Sequence, residues 1–233
     1  MLFEDIWKII SNKDLMGYVF SGFGNTLLIT LLAAAMGLVI GLVVAIVKIA
    51  AEEYKIMKIP AAIFNIYTTV IRGTPVALQL FIMVFALLAI PGMKPTAAVL
   101  TFGINSGAYV SENIRAGISS VDKGQMEAGR ALGLSWVKTM TKIIIPQAVK
   151  NILPAVGNEM IALLKETSII QLIGSTPGTL TFDLNYAATT IYKTVTNYLA
   201  CYLIVGAFYL GVVYLMVIIV KYMEKRLKAS DKR

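Results

Sequence analysis

Residues 122–146, DKGQMEAGRALGLSWVKTMTKIIIP, form the stretch from which the rest of this chain is interpreted. The stretch is polar, basic and glycine-bearing, yet it lies between two strongly apolar segments. Within it, residues 125–134 have the composition of a short helix, with Gly133 near its end. If the flanking segments cross a membrane, such a helix is typical of one that docks into the groove of a soluble partner. The alternative is a basic loop that only orients the protein in the membrane.

The composition places the chain among integral membrane proteins. Of its 233 residues, 58% are hydrophobic and 15% are charged, and the mean hydropathy is +0.76. A soluble domain would have about a quarter of its residues charged. The net charge of +8 is compatible with nucleic-acid binding. However, the basic residues collect between and after the apolar segments, as in membrane proteins, so no nucleic-acid partner is expected.

Several kinds of chemistry are disfavoured by the residues that the sequence lacks. There is no histidine, and the single cysteine, Cys201, lies in an apolar run. We therefore expect no disulfide, no zinc site and no histidine proton shuttle. The phosphate-binding motif G-x-x-x-x-G-K-[ST] does not occur, so the chain is not predicted to be an ATPase. No catalytic residue, metal ligand or cofactor of its own is predicted.

Five apolar segments have the length of about 20 residues that a membrane-spanning helix needs. They are residues 24–47, 60–90, 96–117, 144–164 and 198–220. The second segment is too long for one straight helix and is interrupted at Arg72-Gly73-Thr74-Pro75. The first contains Gly37 and Gly41, whose spacing permits close helix contact. The sequence therefore predicts an all-α integral membrane fold with five transmembrane helices.

The distribution of basic residues predicts the orientation. Of the 21 Lys and Arg residues, three lie in residues 48–58, six in residues 115–150 and six in residues 221–233. Since positive charge collects on the cytoplasmic side, the amino terminus is expected outside and the carboxyl terminus inside. Residues 48–58 are then a cytoplasmic connection, and residues 165–197 are a longer extracytoplasmic one.

We expect one membrane domain. The domain covers residues 18–222 and includes a cytoplasmic loop at about 119–142. Residues 1–17 precede it as an extracytoplasmic surface segment, and they lack the basic start and cleavage site of a signal peptide. Residues 223–233 follow it as a cytoplasmic basic tail.

Arg72 and Glu159 are predicted to lie at a similar depth inside the membrane. A charge there costs about 2.5–3.5 kcal/mol on the insertion scale, which makes such residues candidates for function. One interpretation is an ion pair that locks two helices together. The other is a substrate site, in which Gly73 and Thr74 interrupt a helix and free backbone groups for a ligand.

Uncharged polar residues accompany these two charges: Gln79, Asn105, Ser106 and Asn158. Each is a candidate for substrate binding, but each is equally explained by a hydrogen bond between helices, worth about 0.6 kcal/mol. Glu112 and Arg115 are three residues apart in the same segment, a spacing that favours a local ion pair.

The loop also carries a family resemblance. Glu127-Ala128-Gly129, Leu132-Gly133 and then, after nine residues, Ile143-Ile144-Ile145-Pro146 resemble the EAA loop of ABC importer permeases. The pattern of that family is EAA, three residues, G, nine residues, I-x-L-P. This chain has Gly129 in place of the second Ala and Ile145 in place of the Leu, while the spacing is kept.

Three further strings resemble one branch of that family, the polar amino-acid uptake permeases. They are RGTP at 72–75 with QLF at 79–81, NSGAYVSE at 105–112, and NE at 158–159 with LLKETS at 163–168. The resemblance implies a type I ABC importer permease fold. It also implies two groups of functional residues. Those for substrate binding are Arg72, Gly73, Thr74, Gln79, Asn105, Ser106, Asn158 and Glu159. Those for coupling to an ATPase are Gln125, Glu127, Ala128, Gly129, Leu132 and Gly133.

The resemblance further implies the partners and the location. Separate ABC ATPase subunits, which bind ATP and Mg²⁺, dock on the loop. A second permease subunit, identical or closely related, completes the dimer, and an extracytoplasmic amino-acid-binding protein delivers the amino-acid substrate. The permease then lies in the lipid bilayer of a bacterial inner membrane as a multi-pass protein. Transport by such a machine proceeds by alternating access.

Other functions stay open at this point. A passive channel would explain polar residues at membrane depth but not the helix-bearing loop with EAA spacing. A membrane enzyme is disfavoured because no cluster of reactive side chains is present. The same machinery could carry glutamine or glutamate, whereas Glu159 favours a basic amino acid such as arginine, histidine or lysine.

Overall fold

The computed structural model describes residues 1–229, and this part of the chain is helical without any β-strand. Its α-helices are α1 (Leu2–Ser11), α2 (Lys13–Glu53), α3 (Lys58–Gly73), α4 (Val76–Ile82), α5 (Lys94–Ser119), α6 (Lys123–Ala131), α7 (Trp136–Thr139), α8 (Ile145–Glu166), α9 (Leu184–Val195) and α10 (Tyr198–Ala229). Short 3₁₀ helices cover Lys55–Met57 and Thr167–Ile173, and π-helical turns cover Met83–Leu87 and Met140–Ile144. The last residues of the predicted basic tail, 230–233, lie outside the described residues.

A helix is found at each of the five predicted spans. Within residues 1–229, α2 and residues Tyr198–Leu227 of α10 are long and apolar enough to cross a membrane, and the broken pair Lys55–Gly73 and Val76–Leu87 adds a third if it is one span. The helices α5 and α8 occupy the remaining predicted positions, but polar and charged residues such as Glu112 and Glu159 lower their hydropathy. The number of five spans therefore stays a prediction.

The predicted interruption of the second span is confirmed. Helix α3 ends at Gly73, Thr74 and Pro75 are extended, and α4 begins at Val76. Pro75 has no amide N–H to continue the helix, and it disfavours the helical conformation of Thr74. The Thr74 hydroxyl donates a hydrogen bond to the Val70 carbonyl oxygen at 2.8 Å, which satisfies one of the last carbonyls of α3.

The two predicted connections contain more helix than expected. Helix α2 continues into the predicted connection of residues 48–58 and ends at Glu53. Ala, Glu and Lys dominate this stretch and are strong helix formers, so the helix extends past the apolar span. Residues 165–197 contain the helix α9, whose first amide groups are capped by the side chain of Asp183.

One compact unit consists of residues 1–35, 75–103 and 161–215. Its core joins Ile9 and Val19 to α9 and to the first turns of α10. Buried polar contacts connect α2 to the segment before α9, since the Thr26 hydroxyl accepts a hydrogen bond from the Leu184 amide at 2.9 Å. Gly22 permits this approach, because a Cβ atom there would lie 2.7 Å from the Asp183 carbonyl oxygen.

The other compact unit consists of residues 36–74, 104–160 and 216–233, of which 230–233 are outside the described residues. The close helix contact expected at Gly37 and Gly41 is confirmed here. A Cβ atom on Gly37 would lie 2.9 Å from the Ser106 side chain, and one on Gly41 would lie 2.5 Å from Val110. Helix α2 therefore packs against α5 at backbone distance. This second unit carries most of the candidate functional residues.

Candidate functional site

Helix α6 is the short helix that the sequence predicts within the polar loop, and both of its ends are fixed by local contacts. The Asp122 side chain accepts a hydrogen bond from the Gly124 amide at 2.7 Å, which caps the first turn. At the other end, the Gly133 amide bonds to the Arg130 carbonyl and the Leu134 amide bonds to the Gly129 carbonyl. Gly133 has a φ of +81°, so this is a Schellman motif with glycine in the left-handed position.

The predicted coupling residues lie on the exposed surface of α6 and of the turn after it, with one exception. Leu132 is 81% exposed, which is unusual for an apolar side chain at the tip of a loop. The predicted coupling residues Gln125, Glu127, Ala128 and Gly133 are also exposed. An exposed helix that is followed directly by an exposed leucine has the features of a docking surface for another protein.

Gly129, the exception, is buried and explains one departure from the family pattern. A Cβ atom at this position would lie 2.5 Å from Cγ2 and 2.9 Å from Oγ1 of Thr139. These distances are shorter than van der Waals contact, so α6 approaches the end of α7 more closely than an alanine would allow. Met126 packs on the same side, against a small core that includes Ile49 and Met140.

Polar and aromatic contacts also tie α6 and its neighbours to the end of α2. The Arg130 guanidinium donates a hydrogen bond to Glu53 at 2.9 Å. Next to it, the rings of Tyr54 and Trp136 meet edge to face with 5.7 Å between their centroids. These contacts join α6 and its neighbours directly to the end of α2.

A group of charged side chains surrounds Glu112 on α5, and we call it the Glu112 cluster. The Lys48 ammonium of α2 lies 2.6 Å from Glu112 Oε1 and also donates to the Thr68 hydroxyl at 3.1 Å. Arg115 donates to Glu112 Oε2 at 2.8 Å, which confirms the predicted local ion pair. Lys48 is not among the predicted site residues, because it follows directly after an apolar run and belongs to the predicted connection.

Arg72, the last-turn residue of α3, also belongs to the Glu112 cluster. Its Nη1 atom lies 4.0 Å from Glu112 Oε2, and its guanidinium carbon lies 5.3 Å from the centroid of the Tyr109 ring. A cation above an aromatic face is attracted by the ring, by about 0.5–1 kcal/mol at an exposed site. The pairing of Arg72 with Glu159 stays a prediction.

The remaining predicted substrate residues occupy different environments. Asn105 and Ser106 are buried on α5. On α8, Asn158 is exposed and Glu159 is half-buried. Gln79 lies on α4 in the other compact unit. Seven of the eight predicted residues therefore fall in the unit of residues 36–74, 104–160 and 216–233, and their contact with a substrate stays a prediction.

Ser106 and Gly73 have distinct local roles. The Ser106 side chain packs against Gly37, and among the residues that the structure describes its hydroxyl has no hydrogen-bond partner. This contact favours a packing role for the small Ser106 side chain. Gly73 ends α3 in open space, where an added Cβ would meet no atom within 4 Å. Within residues 1–229, no group of three or more His, Cys, Asp or Glu side chains could hold a metal ion.

Comparison with known protein families shows which family the chain belongs to. The family described as the binding-protein-dependent transport system inner membrane component matches residues 37–229. The chain belongs to this family. The resemblance to ABC importer permeases is therefore confirmed, and the chain is a membrane permease subunit, with the ATPase on a separate subunit.

Individual relatives support the assignment. The chain is 40% identical to the arginine transport system permease protein ArtQ of Bacillus subtilis, over 92% of this chain and 94% of ArtQ. It is 39% identical to the putative glutamine transport system permease protein GlnP of Rickettsia typhi, over 90% of this chain and 93% of GlnP.

Solved structures agree on the fold. A crystal structure of an amino acid ABC transporter with histidines contains a chain that is 37% identical, with a TM-score of 0.82 over 94% of this chain and 98% of that one. The MetNI methionine ABC transporter in an inward-facing conformation matches with a TM-score of 0.75 at 18% identity, over 93% and 99% of the two chains. The chain therefore has the all-helical type I permease fold.

Proposed function

We propose that this chain is the transmembrane subunit of an ATP-driven importer of a polar amino acid, with arginine, histidine or lysine favoured. The observation that carries the proposal is the 40% identity to an arginine permease along 92% of the chain. Residues at both candidate sites support it, since the EAA-type loop forms an exposed helix and charged residues lie on the helices next to it. Glutamine is the second candidate, because the relatives at 39% identity include a putative glutamine permease.

The proposed topology has five membrane spans in a bacterial inner membrane. The helices α2, α3 with α4, α5, α8 and α10 cross the bilayer, with the amino terminus outside and the carboxyl terminus in the cytoplasm. The basic residues between the spans support this orientation. Helix α6 then faces the cytoplasm, and α9 lies outside the membrane.

The proposed assembly contains three kinds of partner. A second permease subunit, identical or closely related, completes the translocation pathway. Two ABC ATPase subunits bind ATP and Mg²⁺ and dock on α6 of each permease subunit. An extracytoplasmic binding protein delivers the amino acid. The exposed face of α6 supports the docking role, because five of its six predicted coupling residues are accessible to a partner.

The proposed mechanism joins the two sites. ATP binding closes the ATPase subunits, and α6, seated in a cleft of one of them, moves with the closure. The contacts of α6 with Glu53 and Thr139 carry this movement to α2 and to α7, which leads into α8. The transmembrane helices then expose the substrate site to one side of the membrane at a time, and the affinity for the amino acid falls when the site opens inward.

An amino acid carries a negative carboxylate and a positive ammonium group. The substrate site therefore needs a positively charged partner for the first and a negatively charged partner for the second. Glu159 is the proposed partner of a positively charged group, and Arg72 with the interrupted backbone at Gly73 and Thr74 is the proposed partner of the carboxylate. Asn105 and Asn158 supply hydrogen bonds. A basic amino acid adds a second positive charge, which a carboxylate such as Glu159 would favour.

The experiment that tests the proposal measures the ATPase activity of the reconstituted complex while L-arginine, L-histidine, L-lysine and L-glutamine are titrated separately. We expect one amino acid to stimulate ATP hydrolysis. Glu159→Gln should abolish most of that stimulation and leave the basal rate, because it removes the charge without changing the shape of the side chain. The matched control is Glu166→Gln, which removes a carboxylate two turns further along α8 and should retain stimulation.

Two results would contradict the proposal. An equal fall of the basal and the stimulated rate in Glu159→Gln would indicate a structural role for Glu159. Movement of the amino acid through the permease in the absence of ATP and of the ATPase subunits would indicate a passive channel instead.

A further inference from the structure

Helix α1 carries large apolar side chains that the rest of the chain leaves uncovered. Phe3, Trp7 and Ile10 are 85%, 70% and 51% exposed. Their spacing of four and then three residues places them on one face of the helix, which we call the α1 stripe. A contiguous exposed apolar patch of this kind marks a surface that meets a membrane or another protein. The proposed function uses none of these three residues.

The other faces of α1 fix how the α1 stripe is presented. On one side of it, Leu2, Ile6 and Ile9 pack into the core that α9 and the first turns of α10 form. The side that follows the stripe consists of exposed polar residues, which are Glu4, Lys8 and Ser11. The stripe therefore lies between a side that is anchored in protein and a side that prefers water. This arrangement is typical of a helix that lies in a membrane interface.

Helix α1 lies at the level where two apolar helices begin, all within one compact unit. The single residue Asn12 separates α1 from α2, and the Asn197 side chain, directly before α10, donates a hydrogen bond to Asp5 at 2.7 Å. The rings of Phe23 and Phe208 meet with 5.4 Å between their centroids, each ten residues after the first residue of α2 or α10. Both helices are long and apolar enough to cross a membrane. Helix α1 is therefore placed beside the starts of two proposed spans.

Exposed aromatic side chains continue at this level around the start of α10. Tyr198, the first residue of α10, is 55% exposed, and its ring stacks on that of Tyr202 with 4.7 Å between the centroids. Tyr192 of α9 meets the Tyr198 ring edge to face at 4.9 Å. The next residue, Leu199, is also exposed, so the apolar surface of α10 begins in its first turn. Because Trp and Tyr concentrate where hydrocarbon meets water, these rings and the α1 stripe are typical of that boundary.

We propose that α1 is an interfacial anchor, whose stripe inserts into the lipid bilayer beside the starts of α2 and α10. The stripe enters the boundary between headgroups and acyl chains, to a depth of about 5–10 Å. Apolar burial rather than charge drives the insertion, because the charged residues of α1, Glu4, Asp5 and Lys8, carry no excess of positive charge. A neutral phospholipid is therefore sufficient. The inference rests on α2 and α10 crossing the bilayer, as in the proposed function, and not on which amino acid is transported.

The test uses the tryptophan fluorescence of the full chain in phosphatidylcholine nanodiscs. Trp7 and Trp136 are the two tryptophans of the chain, so Trp136→Phe leaves Trp7 as the single reporter. Lipid brominated near the carbonyl end of an acyl chain quenches at a shallow depth, and lipid brominated near the chain terminus quenches at the bilayer centre. The shallow lipid should quench Trp7 at least about twofold more strongly than the deep one, and acrylamide, an uncharged quencher in the water, should act weakly. Subtracting the signal of Trp7→Phe from that of the unmodified chain gives the same quantity if Trp136→Phe does not fold.

Leu210 on α10 provides a depth standard in the same chain. It is 70% exposed and lies twelve residues after Tyr198, which is about 18 Å along the helix. In a chain that carries Trp7→Phe and Trp136→Phe, Leu210→Trp should be quenched more strongly by the deep lipid. If lipid quenches this standard but not Trp7, α10 crosses the bilayer as proposed and the anchor is wrong. If lipid quenches neither tryptophan, the proposed topology and the anchor both fail.

A matched pair of double variants tests whether the stripe itself holds Trp7 in lipid. Phe3→Gln with Ile10→Gln should increase the acrylamide quenching of Trp7 about twofold or more, because two of the three inserted side chains become polar. Glu4→Gln with Lys8→Gln changes the neighbouring polar side and should leave the quenching as it is. Equal quenching in the two double variants would contradict the anchor.

The accessibility of Trp7 with an unchanged stripe separates lipid from the other possible neighbours. Strong quenching by acrylamide and none by lipid would show that the stripe faces water. Protection from both quenchers would show that another protein surface, such as a second copy of the chain, covers the stripe. Either result overturns the inference.

Discussion

Helix α6 and the Glu112 cluster lie in the same compact unit, yet they are built in opposite ways. The predicted coupling residues in and after α6 are close together in the sequence, and most of them are exposed. The Glu112 cluster takes its charges from α2, α3 and α5, and its central carboxylate is only 17% exposed. The first region exposes its side chains, whereas the second joins its charged side chains to one another within the chain.

This difference predicts how each region responds to substitution. Exposed side chains on α6 can be changed with little effect on folding, because surface substitutions usually alter stability by less than about 0.5 kcal/mol. In the cluster, removing one partner leaves the other charges poorly solvated, which is costly. Transport and stability should therefore separate in α6 and change together in the Glu112 cluster.

The largest expected effect on stability is that of Glu112→Gln. The substitution removes the carboxylate that contacts Lys48, Arg72 and Arg115, and Lys48 is only 10% exposed. Breaking a buried pair in this way costs about 3–5 kcal/mol. We expect a correspondingly lower unfolding free energy, measured by denaturant titration of the purified chain in mixed micelles.

Arg115→Gln is the control for this prediction. Arg115 is 45% exposed and pairs with Glu112 along the same helix. Such a pair contributes about 0–1 kcal/mol. An equal loss of stability in the two variants would show that the cluster does not depend on its central carboxylate.

A smaller effect is expected for Gly129→Ala, at the one buried position of α6. The new methyl group would lie 2.5 Å from Cγ2 of Thr139, and overpacking of this kind costs about 1–3 kcal/mol. Thr139→Ser removes that methyl group and keeps the hydroxyl that bonds to the Ser135 carbonyl. Because Oγ1 would still lie 2.9 Å from the new Cβ atom, the double variant should regain part of the lost stability in a thermal unfolding experiment.

Gly211→Ala serves as the comparison, because a Cβ atom there meets nothing within 4 Å. It should leave the melting temperature unchanged or raise it slightly, since alanine is the better helix former. If Thr139→Ser gives no recovery in the Gly129→Ala chain, the contact between α6 and Thr139 is not the cause of the loss.

A pH-dependent effect concerns Asp183, a buried carboxylate whose hydrogen-bond donors are backbone amides. It lies before α9, outside the proposed membrane-spanning segments, and accepts hydrogen bonds from the amides of Asn185 and Tyr186. Burial raises the pKa of Asp183 from 3.8 to about 7, against the opposite effect of these hydrogen bonds. The folded chain therefore binds this proton more tightly than the unfolded chain does.

The sign of the pH dependence follows from that difference. Between about pH 4 and pH 7 the folded state carries more protons at Asp183, so its stability falls as the pH rises through this window. In Asp183→Asn, which keeps a capping side chain, the melting temperature should vary less with pH than in the unmodified chain. An unchanged slope would mean that Asp183 is ionised in the folded protein throughout this range.

The contrast between α6 and the Glu112 cluster also explains what the sequence could predict. Local signals were sufficient for the short helix, for the interruption at Thr74 and Pro75, and for the close packing at Gly37 and Gly41. Each of these depends on residues that are neighbours in the sequence or on a spacing within one helix.

Features that depend on tertiary contacts were missed. Nothing in the sequence around Lys48 indicates that it meets a carboxylate 64 residues further along the chain. The helix α9 was also missed, because its threonines and tyrosines are weak helix formers and its stability depends on the cap at Asp183 and on burial of one face. The predicted substrate residues are brought mostly into one unit, but a sequence contains no direct record of which side chains a ligand touches.

The most direct test of the central claim, that α6 couples an ATPase to transport, is uptake of labelled L-arginine and L-glutamine by proteoliposomes that contain the complete complex. We predict that Glu127→Lys and Gly133→Asp abolish uptake of the transported amino acid. Glu127→Lys should do so without changing the melting temperature of the permease, because Glu127 is exposed. Lys55→Glu, an exposed charge reversal away from α6, should transport normally. Normal uptake by the Glu127→Lys and Gly133→Asp variants would contradict the coupling role of α6.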